Sequence, residues 1–396
     1  MQGASMDLET FRELLSPTGQ RLLRQAVSLQ PTETTFLTCA ATLRKHHAPA
    51  LAQAALETAL LRTKAREKFA DAALMYFTRE ALEQSTSEIV GRHRARRFAE
   101  FGNVADLCCG IGADAIALAR AGLTVAAVDL DPLRVAMCGA NAAALGVTDR
   151  VRGIAGDALA APLPDARAAF ADPDRRANGR RFLDPEDYSP SLGALRGRFG
   201  ADFPLGVKIA PGVAKSDIPS AAEAEFVSLR GELKECILWF GPLRQAVRRA
   251  TVLPSGETLT GEGEASPPPP LAERVGEVLY DPDPAVTRAG LVPQLAERLS
   301  AEATDFEVQL LTGGAHAPTA FATAYRVEHA APFHPNHLRD YLRERQIGRV
   351  TVINRGSPAD PAEVVKKLKL KGPGHRGVLL TRVRGAHTAV VCERLG

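Results

Sequence analysis

The sequence predicts an α/β protein: a doubly wound, mostly parallel sheet, preceded by a helical segment and followed by a small α+β unit. Three observations predict it. Residues 104–132, VADLCCGIGADAIALARAGLTVAAVDLDP, read as strand, glycine turn, helix and second strand. Seven strand-like runs alternate with helical stretches between residues 104 and 240. Residues 7–83 carry apolar side chains at helical spacing and almost no strand signal.

In chain order, Ser16-Pro17, Pro31-Thr32 and Ala48-Pro49 punctuate the helices of residues 1–83, and Leu51, Ala55, Leu56, Ala59 and Leu60 give one of them an apolar face. Arg62, Lys64, Arg66 and Lys68 form either a basic stripe or a solvated face. The cluster Ser85-Thr86-Ser87-Glu88 starts a helix. Residues 84–250 then form the central α/β domain: the βαβ unit, a helix over 134–145, and strands near 151–154, 168–171, 204–209, 224–228 and 235–240. The last two lie close together, as an antiparallel edge hairpin requires. Residues 251–324 read as a connecting segment, with a Pro-rich break at GEGEASPPPP and a helix after Asp281-Pro282-Asp283-Pro284. Residues 325–396 read as a compact unit of strand, helix (335–346), strand (349–354), helix (361–368) and hairpin.

Composition narrows the function classes. The 396 residues are 45% hydrophobic with a net charge of +3, enough to bury a large core. The charge is uneven. From Tyr325 onward there are 14 Lys/Arg against 6 Asp/Glu, leaving 35 against 40 elsewhere. A basic C-terminal unit on an acidic body fits a polyanionic partner, RNA above all, or else a solvated basic face. The six cysteines show no CxxC pair and no zinc spacing, so no metal is expected and reduced thiols are. Without a signal core or an 18-residue apolar run, the expectation is a cytoplasmic protein with no membrane partner.

The chemistry begins at the glycine turn. Gly110 and Gly112 allow a tight turn and close backbone approach by a ligand, and Asp129 ends the second strand where a ribose hydroxyl pair is held in such folds. Asp106 stands four residues before Gly110, so a carboxylate points toward the ligand. It would repel a pyrophosphate, which argues against a nicotinamide oxidoreductase, but it suits the ammonium and sulfonium of S-adenosylmethionine. Asp157 and Asp172 follow later strand-like runs. Singly each acid reads equally as a turn or cap residue; four at strand ends read as an S-adenosylmethionine site.

Thr86, Glu88, His93 and Arg97, then DLCCGIGADAIALA, DLDP and GDA, are similar to the trimethylguanosine synthase-like branch of class I S-adenosylmethionine-dependent methyltransferases. The final seventy or so residues, with KLKLKG and GVLLTRV, resemble the THUMP-like domain attached to such enzymes. The resemblance implies a Rossmann-like, seven-stranded class I methyltransferase core with an N-terminal helical domain and a C-terminal THUMP-like domain. It implies that Asp106, Cys108, Gly110 and Gly112 surround the methionine end of the cofactor, with Thr86 over it. Asp129 would take the ribose and Leu130 lie beside the adenine. Asp157 would read the adenine amino group, with Ala158 near the ring. Cys108 and its neighbour Cys109 read most simply as small packing residues, and His93 and Arg97 as scaffold.

One departure bears on the substrate. Where amino methyltransferases of this kind carry Asp/Asn/Ser-Pro-Pro-aromatic, the chain has Asp172-Pro173-Asp174-Arg175-Arg176. Asp172 and Pro173 remain as catalytic candidates that orient an amine, but the aromatic platform is missing. Arg175 and Arg176 either bind phosphate or stack on a base, or pair with Asp174 and Glu186 as a structural network. Lys208 reads as a substrate contact or as a salt bridge to a cleft acid. The leading expectation is methyl transfer to RNA, a nucleobase amine in tRNA or rRNA. The alternatives are a small-molecule or protein acceptor and a catalytically silent RNA-binding module.

Overall fold

A computed structural model describes residues 6–163, 165–177, 180–263 and 267–395. The chain forms two compact units, Met1–Ala222 with Ile237–Gln245, and Glu223–Cys236 with Ala246–Gly396.

The first unit opens with helices α1 (Leu8–Leu15), α2 (Pro17–Ser28), α3 (Phe36–Leu43), α4 (Pro49–Ala65), α5 (Arg79–Gln84) and α6 (Glu88–Ala95). Asp7, Ser16 and Thr78 cap α1, α2 and α5 by accepting backbone N–H bonds, and prolines occupy the first turns of α2 and α4. The basic positions on and after α4 are largely structural. Lys64 pairs with Glu33, Arg62 donates to the carbonyls of Leu74 and Met75, and Lys68 Nζ closes the end of α5 through the carbonyls of Leu82, Glu83 and Ser85 at 2.7, 3.0 and 2.9 Å.

The sheet elements follow: β1 (Asn103–Leu107), α7 (Ala113–Arg120), β2 (Thr124–Asp129), α8 (Pro132–Ala144), β3 (Val151–Ala155), β4 (Ala168–Ala171), the short hairpin β5 (Arg176–Ala177) and β6 (Arg180–Arg181), α9 (Leu192–Phe199) and β7 (Leu205–Ile209). Strands β3-β2-β1-β4-β7 are adjacent in that order and all parallel. The inner strands β1, β2 and β4 are mostly apolar and buried because both faces are covered, while the edge strand β3 is half-exposed. On one side, Phe98, Phe170 and Trp239 meet edge to face, with centroids 5.7 Å apart for Phe98–Trp239. On the other, α8 and the glycine turn share a core with the N-terminal helices. Phe11, Leu14, Leu22, Leu56 and Phe77 cluster there with Ile111 and Met137.

In the second unit, β8 (Glu223–Leu229) and β9 (Glu232–Phe240) form a hairpin whose turn residues Arg230 and Gly231 have φ 55° and 79°, the left-handed pair of a type I′ turn. β9 continues into the first unit, where its last residues neighbour β7. The hairpin is not an edge. β10 (Arg248–Leu253) pairs in parallel with β8, and β11 (Glu257–Gly261) pairs antiparallel with β10. The added strand is stabilised by buried polar pairs: Arg249 Nε reaches Glu223 Oε1 at 2.6 Å, and Thr251 Oγ1 donates to Glu225 Oε1 at 2.5 Å. A second sheet holds β12 (Val278–Pro282), β13 (Glu302–Ala303), β14 (Leu311–Gly313), β15 (Ala322–Pro332), β16 (Ile347–Asn354), β17 (Gly374–Val383) and β18 (Ala386–Arg394), ordered β13-β14-β12-β15-β18-β17-β16. Between β12 and β13 run α10 (Pro284–Ala289) and α11 (Val292–Leu299). Helices α12 (Pro335–Glu344) and α13 (Pro361–Leu368) seal this sheet through Leu338, Leu342, Val364 and Leu368. All six cysteines are free thiols. Among the described residues no helix is long and apolar enough to cross a membrane.

Candidate active site

The five parallel strands of the first unit end on the same side, and the candidate residues stand at those ends. Asp106 is the penultimate residue of β1, Asp129 the last of β2, Asp157 and Ala158 follow β3, Asp172 and Pro173 follow β4, and Lys208 lies in β7. In an open parallel sheet this is where ligands bind.

The turn after β1 is shaped by three left-handed residues, Cys108, Gly110 and Gly112, with φ 59°, 54° and 86°. At Gly112 a side chain could enter only by displacing its neighbour: a Cβ would stand 2.5 Å from Cys138 Sγ and 3.2 Å from Cys138 Cα. Gly112 also caps α7 without a side-chain acceptor, leaving the first N–H groups of that helix for a ligand. Asp129 fixes the turn from the neighbouring strand. Its Oδ2 accepts the Gly110 N–H at 2.9 Å and its Oδ1 accepts the Asp131 N–H at 3.0 Å. Each oxygen keeps a further lone pair.

Asp106 is buried, and its Oδ2 has no hydrogen-bond partner among the described residues. Burial, then the nearby Asp114, pushes its carboxyl well above the usual range. Asp114 itself is held by Arg94 of α6 in a buried ion pair, and the Arg94 guanidinium lies 4.2 Å over the Phe170 ring. The Cys108 and Cys109 thiols are also pushed up, Cys108 chiefly by burial and Cys109 first by its hydrogen bond to Cys138, so neither is an activated nucleophile.

At the end of β4, Asp172 Oδ2 pairs with Lys208 Nζ at 2.7 Å, and the same Nζ lies 3.4 Å from Thr86 Oγ1. Lys208 therefore makes the salt bridge to a cleft acid and joins β7, β4 and the start of α6. Asp157 is exposed and accepts the Leu159 N–H at 2.8 Å, while Ala158 is buried and offers its carbonyl to Arg198. Leu130 is 70% exposed, a free apolar surface beside Asp129. Arg175 and Arg176 do not pair with Asp174 or Glu186. Those carboxylates accept the backbone N–H groups of Arg176 and Gly193.

Asn141 and Arg198 carry structural duties that the sequence reading did not assign. Asn141, fully buried in α8, accepts the Tyr76 N–H at 2.7 Å and donates to the carbonyls of Tyr76 and Ile111 at 3.1 and 3.0 Å. It ties the chain before α5 to the glycine turn. Its signal was a lone amide on the buried face of an alanine-rich helix.

A Rossmann-like sheet with a glycine turn after its first strand and acids at its strand ends defines a class I methyltransferase fold. Residues 102–176 match a family model described as RNA cap guanine-N2 methyltransferase, residues 322–394 one described as THUMP domain-like, and residues 7–65 a domain of unknown function. The chain is 35% identical over 356 residues, 85% of its length and 96% of the relative's, to an S-adenosylmethionine-dependent methyltransferase of Mycobacterium tuberculosis. That relative carries the names "uncharacterized" MT3122 in strain CDC 1551 and Rv3037c in strain H37Rv. The crystal structure of a proposed methyltransferase from Porphyromonas gingivalis W83 shares the fold, with a TM-score of 0.75 at 20% identity, over 92% of this chain and 99% of that one. The chain belongs to this family of S-adenosylmethionine-dependent methyltransferases, and its C-terminal domain is THUMP-like.

Proposed function

We propose that this enzyme transfers a methyl group to RNA, at an exocyclic amine of a nucleobase in tRNA or rRNA. The observation that carries the reading is the Asp172–Lys208 pair at the end of β4. The ammonium occupies one carboxylate oxygen and fixes the group in place, leaving the remaining lone pairs to accept a hydrogen bond, which suits an amine N–H. The likeness of residues 102–176 to RNA cap guanine-N2 methyltransferases and of residues 322–394 to THUMP domains supports RNA as the acceptor.

The residues fit the cofactor. The unpartnered Oδ2 of buried Asp106 matches a ligand ammonium, and the open N–H groups at Gly112 and the start of α7 match its carboxylate. Asp129 retains lone pairs for two ribose hydroxyls. Leu130 and Ala158 would border the adenine, with Asp157 taking its amino group and Thr86 lying over the methionine end. S-adenosylmethionine supplies an already activated methyl group, so the protein's work is placement and exclusion of water. Asp172 accepts the substrate amine's hydrogen bond and directs its lone pair, Pro173 shapes that corner, and Lys208 holds Asp172 in position. Residues 84–250 act as the catalytic domain, while residues 325–396 present the RNA through Lys366, Lys367, Lys369 and Lys371, after a connecting segment at 251–324. Residues 1–83 form the helical domain.

The test is to incubate the enzyme with isotopically labelled S-adenosylmethionine and separate tRNA and rRNA fractions, then digest and identify labelled nucleosides by mass spectrometry. An N-methylated base is the expected product. Label confined to protein or to small molecules would refute an RNA acceptor.

A further inference from the structure

After Asp172-Pro173 the chain does not enter a helix but makes the hairpin β5–β6, antiparallel with Arg176 opposite Arg181. The hairpin is anchored. Asp174 exchanges two backbone hydrogen bonds with Ser189, at 3.0 and 2.9 Å, and the Phe182 N–H donates to the Arg175 carbonyl at 2.9 Å. It carries four arginines, Arg175, Arg176, Arg180 and Arg181, with the last two exposed. Among the described residues none of the four guanidinium groups makes an ion pair, a hydrogen bond or a stacking contact.

Acids are near in sequence, yet they are engaged elsewhere. Asp174 Oδ1 accepts the Arg176 backbone N–H at 3.0 Å, Asp184 Oδ1 the Glu186 N–H at 2.9 Å, and Glu186 Oε2 the Gly193 N–H at 3.1 Å. Like charges directly across a two-residue ladder oppose its formation. A structural role for these arginines would require counter-charges, and the hairpin has none. Where arginines of this chain do serve the fold they have a carboxylate partner, as with Arg94–Asp114, Arg249–Glu223 and Arg355–Asp281.

We propose that Arg175, Arg176, Arg180 and Arg181 form a phosphate clamp that grips the RNA backbone on either side of the nucleotide offered to Asp172. This rests on the reading of RNA as acceptor. Guanidinium groups match phosphate oxygens in bidentate geometry, and their attachment directly after the catalytic candidates places phosphate recognition one short loop from the reacting base. Two faces of the ladder, Arg176 with Arg181 and Arg180 on the other side, suit a strand that passes around the hairpin rather than one isolated phosphate. The three residues directly after Asp172-Pro173, Asp174-Arg175-Arg176, offer no aromatic ring, so acceptor position depends on the backbone grip.

The experiment is fluorescence anisotropy of a labelled single-stranded RNA with the full chain across a salt series, comparing wild type with Arg180→Gln/Arg181→Gln and with all four arginines changed to Gln. Each lost phosphate contact lowers the slope of log K against log salt by about 0.7, so the double variant should lose about 1.4 in slope and bind about 25-fold more weakly near 0.1 M salt. Titration with S-adenosylmethionine serves as the control for folding, and its affinity should not change. Because Arg180 and Arg181 are exposed, the double variant gives the answer even where the fourfold variant does not fold. RNA binding with an unchanged slope in the double variant overturns the clamp alone. No RNA binding by wild type overturns both the clamp and the RNA reading. Equal competition by polyglutamate overturns RNA as the occupant.

Discussion

Replacing Asn141 with alanine removes, at one point, every hydrogen bond between the chain at Tyr76 and the amide that also holds the glycine turn. The side chain is fully buried and satisfies three backbone groups, the Tyr76 N–H and the carbonyls of Tyr76 and Ile111, at 2.7, 3.1 and 3.0 Å. Alanine leaves all three without a partner, and each such group costs about 1–3 kcal/mol. Allowing for partial relaxation, the loss is about 4 kcal/mol, or a fall of roughly 10 °C in melting temperature for a unit of this size. Because Ile111 sits between Gly110 and Gly112, affinity for S-adenosylmethionine should fall as well. Asn141→Asp is no rescue: it keeps one acceptor but turns its second oxygen toward two carbonyl oxygens. Thermal unfolding followed by circular dichroism, together with calorimetric titration of the cofactor, measures both effects. A shift of under 2 °C with unchanged cofactor affinity would refute the reasoning.

Gly112→Ala meets Cys138 at 2.5 Å with φ at 86°, so it combines a left-handed penalty of about 1–2 kcal/mol with overpacking of about 1–3 kcal/mol; Cys138→Ala in the same chain should recover part of the lost melting temperature. Asp172→Ala and Lys208→Met should each keep cofactor binding while methyl transfer to RNA falls by about 100-fold, the scale of one lost orienting contact; normal turnover in Asp172→Ala would remove its amine-orienting role. Asp106 has a carboxyl raised by burial and Asp114, and a bound ammonium draws it back to the ionised form. Cofactor binding should therefore release a proton, and affinity should rise with pH by at most about tenfold per unit below the raised value. Titrations in buffers of different ionisation enthalpy read that proton directly.

The central βαβ unit was legible because parallel strands buried on both faces are written as unbroken apolar runs, and because Gly110, Gly112 and Asp129 carry a spacing with a mechanical reason. Strand β4 and helix α13 fall where their sequences place them, at Ala168–Ala171 and Pro361–Leu368. Strand β10 was not legible. Its Arg248-Arg249 start carries no apolar signal, and only the partner Glu223, 26 residues before Arg249 and fully buried beside it, makes that charge part of a sheet. The β5–β6 hairpin was hidden for another reason: two residues per strand give no periodicity to read. The Lys208 bridge was one of two readings of that residue, and its partner Asp172, 36 positions away, lay beyond any local pattern. Asn141 was visible as a residue but not as a tie, since its partners lie 65 and 30 positions away.

The most direct test of the central claim is isothermal titration of the purified chain with S-adenosylmethionine, beside Asp129→Ala. A saturable isotherm that disappears in the variant is the predicted result, because Asp129 both offers the ribose its acceptors and holds the Gly110 N–H. An isotherm of the same affinity in the variant, or none in the wild type, would contradict the account.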